Sequence, residues 1–132
     1  MKYGNIVTVN EFEFLDGFID KEGYKRKCIV LFEDDEQVCV CPIVSQLSSF
    51  NNNPNNYYFL PFTNKKGKKL TFAKLNSIVY INKSDVLEVI DSLDNDTMIR
   101  MINKIKNNYN KYKNKEYYCD ALNKIEEEIP VK

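Results

Sequence analysis

The stretch that most constrains the fold is Arg26 to Gln46, RKCIVLFEDDEQVCVCPIVSQ. Two apolar runs, Cys28–Phe32 and Val38–Val44, flank the acidic segment Glu33, Asp34, Asp35 and Glu36. Each run is short and rich in Val, Ile, Phe and Cys, which marks a strand rather than a helix. Neighbouring carboxylates repel one another if buried, so they belong at a solvated hairpin tip. Neither run alternates with polar residues, which predicts a hairpin covered on both faces. A turn centred on Asp34 and Asp35 opposes residues whose numbers sum to about 70, at separations of about 4.5–5.5 Å. Arg26 then lies across from Val44 or Ser45. A guanidinium and a hydroxyl would border a loop at the open end of the hairpin, where sites are commonly built on a rigid sheet.

Upstream, Tyr3 to Phe14 reads as a first strand region, with Ile6, Val7 and Val9 followed by Phe12 and Phe14. The loop Leu15–Lys25 contains Gly17 and Gly23 and leads straight into Arg26, so Asp20 and Glu22 lie near the guanidinium by chain proximity. Downstream, Ser45–Asn56 is a polar loop, longer than most connections in compact domains. The run YYFLPF is a strand that Pro61 restricts to a sheet edge or a bulge. Asn64–Gly67 is a hairpin turn with Lys65, Lys66, Lys68 and Lys69 around it. Leu70–Phe72, Leu75–Ile81 and Val86–Ile90 follow as strands.

The periodicity then changes. Asp94 or Asn95 can cap a helix, and Met98, Met101, Ile102, Ile105, Tyr109 and Tyr112 form one apolar stripe that reads as core packing. Tyr118, Ala121, Leu122, Ile125 and Ile129 repeat the spacing out of phase. Two helices meeting near Asn114, or one helix whose stripe shifts, account for this equally. Closely spaced short strands ending in a helix predict a mainly β chain with C-terminal α, a small barrel with a helix packed on it. Residues 1–113 form the barrel domain with its helix at about 95–113, and residues 114–132 a C-terminal helical extension.

A chain of 132 residues with 43% hydrophobic residues is most simply one globular domain. It has no apolar run long enough to span a membrane, and the N-terminus lacks a signal peptide's apolar segment, so a cytoplasmic protein is expected. Cys28, Cys39 and Cys41 lie inside apolar runs as small reduced hydrophobes, with Cys39 and Cys41 on one face. With no His in the chain and only Cys119 as a distant fourth thiol, neither a metal nor another cofactor is expected. Net charge is zero but uneven: residues 1–60 hold five basic against nine acidic side chains, residues 61–118 twelve against six. The second half is the more suitable face for a polyanion.

Gly4-Asn5-Ile6-Val7, Arg26 opening a strand, and CPIVSQ at Cys41–Gln46 together resemble the MazF/PemK/Kid family of toxins. LTFAKLNSIV at Leu70–Val79, followed by a strand and a helix, is similar to that family's distal half. The resemblance covers roughly residues 3–110 and implies an SH3-like (MazF/PemK/CcdB-type) barrel and a homodimer. It further implies a metal-independent endoribonuclease that cuts single-stranded RNA at short sequences, and a cognate antitoxin that occupies the RNA groove. The family's essential Arg falls on Arg26, with a Thr or Ser at the end of the next strand. Two positions depart from the pattern. Lys27 stands where Pro is common, and Val44 takes the usual hydroxyl position, leaving Ser45 one residue on. A one-residue shift in a regular strand reverses the face, so a bulge near Pro42 would be needed to turn Ser45 into the site.

For such a reaction Arg26 would stabilise the phosphorane, since its fork matches two phosphate oxygens. Without His the proton carriers must be carboxylates or unusual cations. Glu22 is the candidate base, Asp20 the reserve, and Ser45 a ligand to the phosphate or 2′-OH. Lys65, Lys66, Lys68 and Lys69 are candidate phosphate contacts, and Tyr57, Tyr58 and Phe50 candidate stacking platforms for unpaired bases. The alternative function is a catalytically weakened barrel of the same fold that binds nucleic acid or protein only.

Overall fold

Apolar residues at both odd and even positions of the central hairpin are divided by the pleat between two cores. The structure, a computed structural model, describes residues 2–45, 47–63, 70–113 and 115–128. The strands are β1 (Asn5–Asn10), β2 (Lys25–Glu33), β3 (Gln37–Val44), β4 (Tyr57–Thr63), β5 (Leu70–Lys74), β6 (Val79–Asn82) and β7 (Val86–Ser92). The helices are α1 (Leu47–Asn52), α2 (Asn95–Asn108) and α3 (Lys115–Glu128). This is the mainly β fold with C-terminal helices that the strand and helix patterns call for.

The β2–β3 ladder pairs Cys28 with Pro42, Ile29 with Cys41 and Val30 with Val40, the register expected from a turn at Asp34 and Asp35. Its register shift falls between Val30 and Phe32, not near Pro42. Asp34 closes the turn, its carboxylate accepting from the amides of Glu36 and Gln37. Ile29, Leu31, Cys39, Cys41 and Ile43 face a core shared with α2 and α3. Cys28, Val30, Val38, Val40 and Val44 face a second core with Val7, Val9, Phe12, Phe14 and Phe72.

The sheet runs β4-β5-β3-β2-β1-β7, with β6 also paired to β3. All pairings among the described residues are antiparallel. β3 exchanges one neighbour for another along its length, pairing β6 through Gln37–Val40 and β5 through Ile43 and Val44. β4, the strand with Pro61, lies at one edge as that proline requires.

Three segments differ from the sequence expectation. β1 stops at Asn10, because Glu11 adopts φ 53° and redirects the chain. Phe12 and Phe14 still reach the second core, with ring centroids 4.9 Å apart. Ser45–Asn56 is not an open loop but contains α1 and a 3₁₀ turn at Pro54–Asn56. Leu75–Ser77 is a 3₁₀ turn rather than the start of a strand. Leu75 and Ile78 can both be buried there because Tyr118 serves the turn's backbone. Its hydroxyl donates to Leu75 O at 2.8 Å and accepts from Ile78 N at 3.2 Å.

Asp94 caps α2 by accepting from Thr97 N at 2.7 Å, and Met98, Met101, Ile102 and Ile105 are buried beneath it. Two helices form rather than one, separated by a turn at Tyr109–Lys111. Tyr118, Ala121, Leu122 and Ile125 of α3 enter the same core as α2, and Ile129 lies outside the described residues.

Gly4 anchors the start of β1 where no side chain fits easily. Its φ is +89°, and an added Cβ would meet Leu93 O at 3.3 Å and Met98 Cγ at 3.4 Å. Its amide donates to Val30 O at 2.8 Å and its carbonyl accepts from Leu93 N at 2.8 Å, so the backbone cannot drift away. Gly4→Ala should therefore destabilise the protein by about 1–3 kcal/mol, read from the midpoint of a urea unfolding curve.

Candidate active site

Arg26 opens β2, and residues 11–24 fold over it as a short excursion from the sheet. Phe12 O accepts from Asp20 N at 2.9 Å, and Phe14 N donates to Phe18 O at 2.8 Å, so the excursion doubles back on itself. Gly17, at φ +94°, makes the reversal, a backbone position that favours glycine. Asp16 holds the tip by accepting from Phe18 N at 2.9 Å. The doubling back carries Asp20 inward, where its side chain is only 5% exposed.

Asp20 meets the guanidinium along one edge. Arg26 Nε donates to Asp20 Oδ2 at 3.0 Å, and Nη2 donates to Oδ1 at 2.6 Å. Nη1 reaches across the open end of the hairpin to Ile43 O at 3.1 Å. The rings of Phe14 and Tyr24 lie 5.2 and 4.8 Å from the guanidinium carbon. Burial works against the charge, but Asp20 and Tyr24 outweigh it and raise the Arg26 pKa further. The guanidinium is permanently charged and fixed in orientation. Of its five N–H donors, one on each terminal nitrogen remains for a ligand.

Arg26 lines a cavity of about 220 Å³ with Phe14, Asp16, Phe18, Val44 and Lys74. Lys74 ends β5, its Nζ 5.1 Å from the centre of the Phe14 ring and 3.9 Å from Asp16 Oδ2. Phe18 is 62% exposed at this cavity, an aromatic face open to an entering ligand. The cavity thus combines two cations, one outward carboxylate and an exposed ring.

The residues singled out from sequence are distributed unevenly about it. Arg26 is inside. Asp20 is bound to it. Val44 lines the cavity because it shares β-strand parity with Pro42, opposite Cys28, on the face Arg26 occupies. Ser45 follows β3 with an exposed side chain and is not part of the lining. Glu22 is exposed in the loop and also lies outside the lining. Tyr57 is buried edge-on to Phe72, and Phe50 stacks on Phe72 at 4.8 Å, so both rings are engaged in packing. Tyr58 is half-buried against the helix-side core. Lys65, Lys66, Lys68 and Lys69, with the turn at Asn64–Gly67, lie outside the described residues.

Sequence reasoning passed over Lys74, Asp16 and Phe18. The signals were present but weak: an Asp two residues before an aromatic beside a glycine, and a lone Lys closing an apolar strand. Only the pairing of β3 with β5, Ile43 to Ala73 and Val44 to Phe72, brings Lys74 to the hairpin's open end.

A family model for PemK-like, MazF-like toxins of type II toxin–antitoxin systems matches residues 2–109. The chain belongs to this family. The match spans every described strand and the whole of α2, so the fold described above is that of the family, and a toxin of this kind has an antitoxin partner. The curated proteins contain no match to the chain. Lys111, Lys113 and helix α3 lie beyond the matched residues. No helix among the described residues is long and apolar enough to cross a membrane.

Proposed function

We propose that this toxin is an endoribonuclease that cuts single-stranded RNA at the Arg26 cavity without needing a metal. The observation that carries the reading is the fixed guanidinium, with free donors on Nη1 and Nη2, facing a second cation across a small cavity. Two cations held on rigid strands suit the charge that develops on a phosphorane. The 2′-hydroxyl gives its proton to Asp16, the 2′-oxygen attacks phosphorus, and the bond to the 5′-oxygen breaks. Lys74 donates a proton to that leaving oxygen. The products are a 2′,3′-cyclic phosphate and a 5′-hydroxyl, and solvent returns the proton from Asp16 to Lys74. Asp16 and Lys74 lie 3.9 Å apart, so both groups border the same entering phosphate. Phe18 offers its ring to an unpaired base.

This assignment moves the proton carriers from Glu22 to Asp16 and Lys74, and gives no part in the reaction to Ser45, which lies outside the cavity lining. Asp16→Asn and Lys74→Gln should each slow cleavage by about 10²–10⁴-fold, while Glu22→Gln and Ser45→Ala should each fall short of about tenfold. Initial rates on one RNA substrate compare the four variants. A homodimer in the cytoplasm, inhibited by its antitoxin, belongs to the same reading. Leu87, Val89 and Ile90 on edge strand β7 are 49%, 51% and 42% exposed, apolar surface of the kind an interface covers.

Val44 favours a second reading, a barrel that binds without cutting, because methyl groups line the cavity at the family's usual hydroxyl position. End-mapping of a long, mostly unpaired RNA separates the two. Cyclic phosphate and 5′-hydroxyl ends at reproducible positions support the ribonuclease. RNA bound but left intact by folded protein supports the binding module.

A further inference from the structure

A second cavity, of about 250 Å³, adjoins the first. Asp16 and Lys74 line both, and the second is completed by Leu15, Asn56, Asn76, Ser77, Lys111, Tyr112 and Lys113. Each cavity is smaller than the roughly 300–1,000 Å³ typical of small-molecule sites. Two small spaces sharing a wall suit successive units of a linear chain.

The charges argue in the same direction. Around Arg26 the cations are balanced, Arg26 by Asp20 and Lys74 by Asp16. A bound RNA brings one further negative charge per nucleotide, which the first cavity alone does not meet. Lys111 and Lys113 add two positive charges to the second cavity, opposed there only by the shared Asp16.

The backbone that carries these two exposed lysines is anchored by the residue between them. Tyr112 is buried, its hydroxyl donating to Asn55 O at 2.5 Å and its ring 5.3 Å from that of Tyr118. The turn at Tyr109–Lys111 is thereby pinned to the turn before β4, with a lysine on either side of the anchor. In the same wall, Asn76 Oδ1 is buried with no hydrogen-bond partner. An acceptor left unmet in a native structure costs about 1–3 kcal/mol, and a small side-chain rotation would offer it to a donor in the cavity.

We infer that this cavity is a nucleotide subsite, in which Lys111 and Lys113 hold a backbone phosphate of single-stranded RNA flanking the one at Arg26. Asn56 and Asn76 present amide groups to the attached ribose or base. Lys111, Tyr112 and Lys113 lie beyond the family match while the rest of the lining lies within it, so the subsite adds a contribution of this chain's C-terminal segment to specificity and affinity. The inference rests on the RNA-cleaving reading above.

The test uses a 20-nucleotide mixed-sequence RNA with every 2′-hydroxyl methylated, which binds but cannot be cut. Its affinity is measured from 50 to 300 mM salt for wild type, Lys111→Gln/Lys113→Gln, and the charge-matched control Lys83→Gln/Lys106→Gln. Lys83 and Lys106 line neither cavity. The Lys111/Lys113 variant should bind about tenfold more weakly at low salt, with its log K against log salt slope shallower by about 0.7, the loss of one phosphate contact. The control should keep the wild-type slope, and Lys111→Arg/Lys113→Arg should restore binding. An unchanged slope in the Lys111/Lys113 variant, while wild type binds and cuts RNA, would overturn the inference alone. Equal weakening by the control would overturn it too, since net charge would then suffice. Loss of antitoxin binding with RNA binding intact would assign the cavity to an acidic protein segment instead. A wild-type protein that neither binds nor cuts RNA would remove the reading on which the inference rests.

Discussion

Arg26→Lys should reduce RNA cleavage by about 10²–10³-fold while leaving the protein folded. Lysine keeps a positive charge beside Asp20, so the buried carboxylate is not stranded. It loses the planar fork that binds Asp20 along one edge, Ile43 O with a second nitrogen, and a phosphate with what remains. A compact ammonium cannot do all three. Arg26→Ala should be equally inactive but also less stable, because removing one partner of a buried pair costs about 3–5 kcal/mol. Cleavage rates and urea midpoints measured on both variants separate the catalytic part of the loss from the structural part. If Arg26→Lys cleaves as well as wild type, the fork is not what the reaction uses.

The second large effect is expected at a residue that lines neither cavity. Tyr118→Ala should destabilise the protein by about 3–5 kcal/mol, enough to unfold a marginal domain. The ring is fully buried among Tyr112, Tyr117 and the core shared by both helices. Its hydroxyl satisfies both Leu75 O and Ile78 N, two backbone groups the 3₁₀ turn leaves over. Burial pushes the phenol's pKa well above its usual value, so the group stays neutral across the working pH range. Tyr118→Phe isolates the hydrogen bonds and should account for about 1–3 kcal/mol of the loss. Chemical denaturation of the two variants beside wild type checks the division. An undisturbed Tyr118→Ala protein would mean that α3 is dispensable to the barrel.

The central hairpin was legible because its signals were redundant. Its acidic tip, its two apolar runs and their lengths all required the same register, and the ladder from Cys28–Pro42 to Val30–Val40 has it. The cap at Asp94 and the stripe through Ile105 were legible for the same reason, since propensity and periodicity agreed. The 3₁₀ turn at Leu75–Ser77 was not. An alternating apolar pattern reads as a strand unless a distant partner takes up the backbone, and Tyr118 lies about forty residues away.

The site divides in the same way. Arg26 could be located from the hairpin alone, because a strand's open end is a matter of register. Asp20 could be placed near it by chain proximity, though not distinguished from Glu22, since the bend at Gly17 decides which carboxylate turns inward. Lys74 and Asp16 come together across non-local strand pairing and a loop reversal, which spacing in the sequence does not encode. Val44 illustrates a limit of another kind. The pleat, unbroken near Pro42, sends Val44 to the cavity and leaves Ser45 outside its lining.

In the proposed reaction Arg26 is the catalytic cation of an RNA-cutting site that works without a metal. The most direct measurement incubates a long, mostly single-stranded RNA with wild type and with Arg26→Lys, each in excess EDTA, and maps the cuts. Wild type should cut at specific sites in EDTA, and the variant should not. RNA left intact by folded wild-type protein, or cut equally by both, would contradict the proposed reaction.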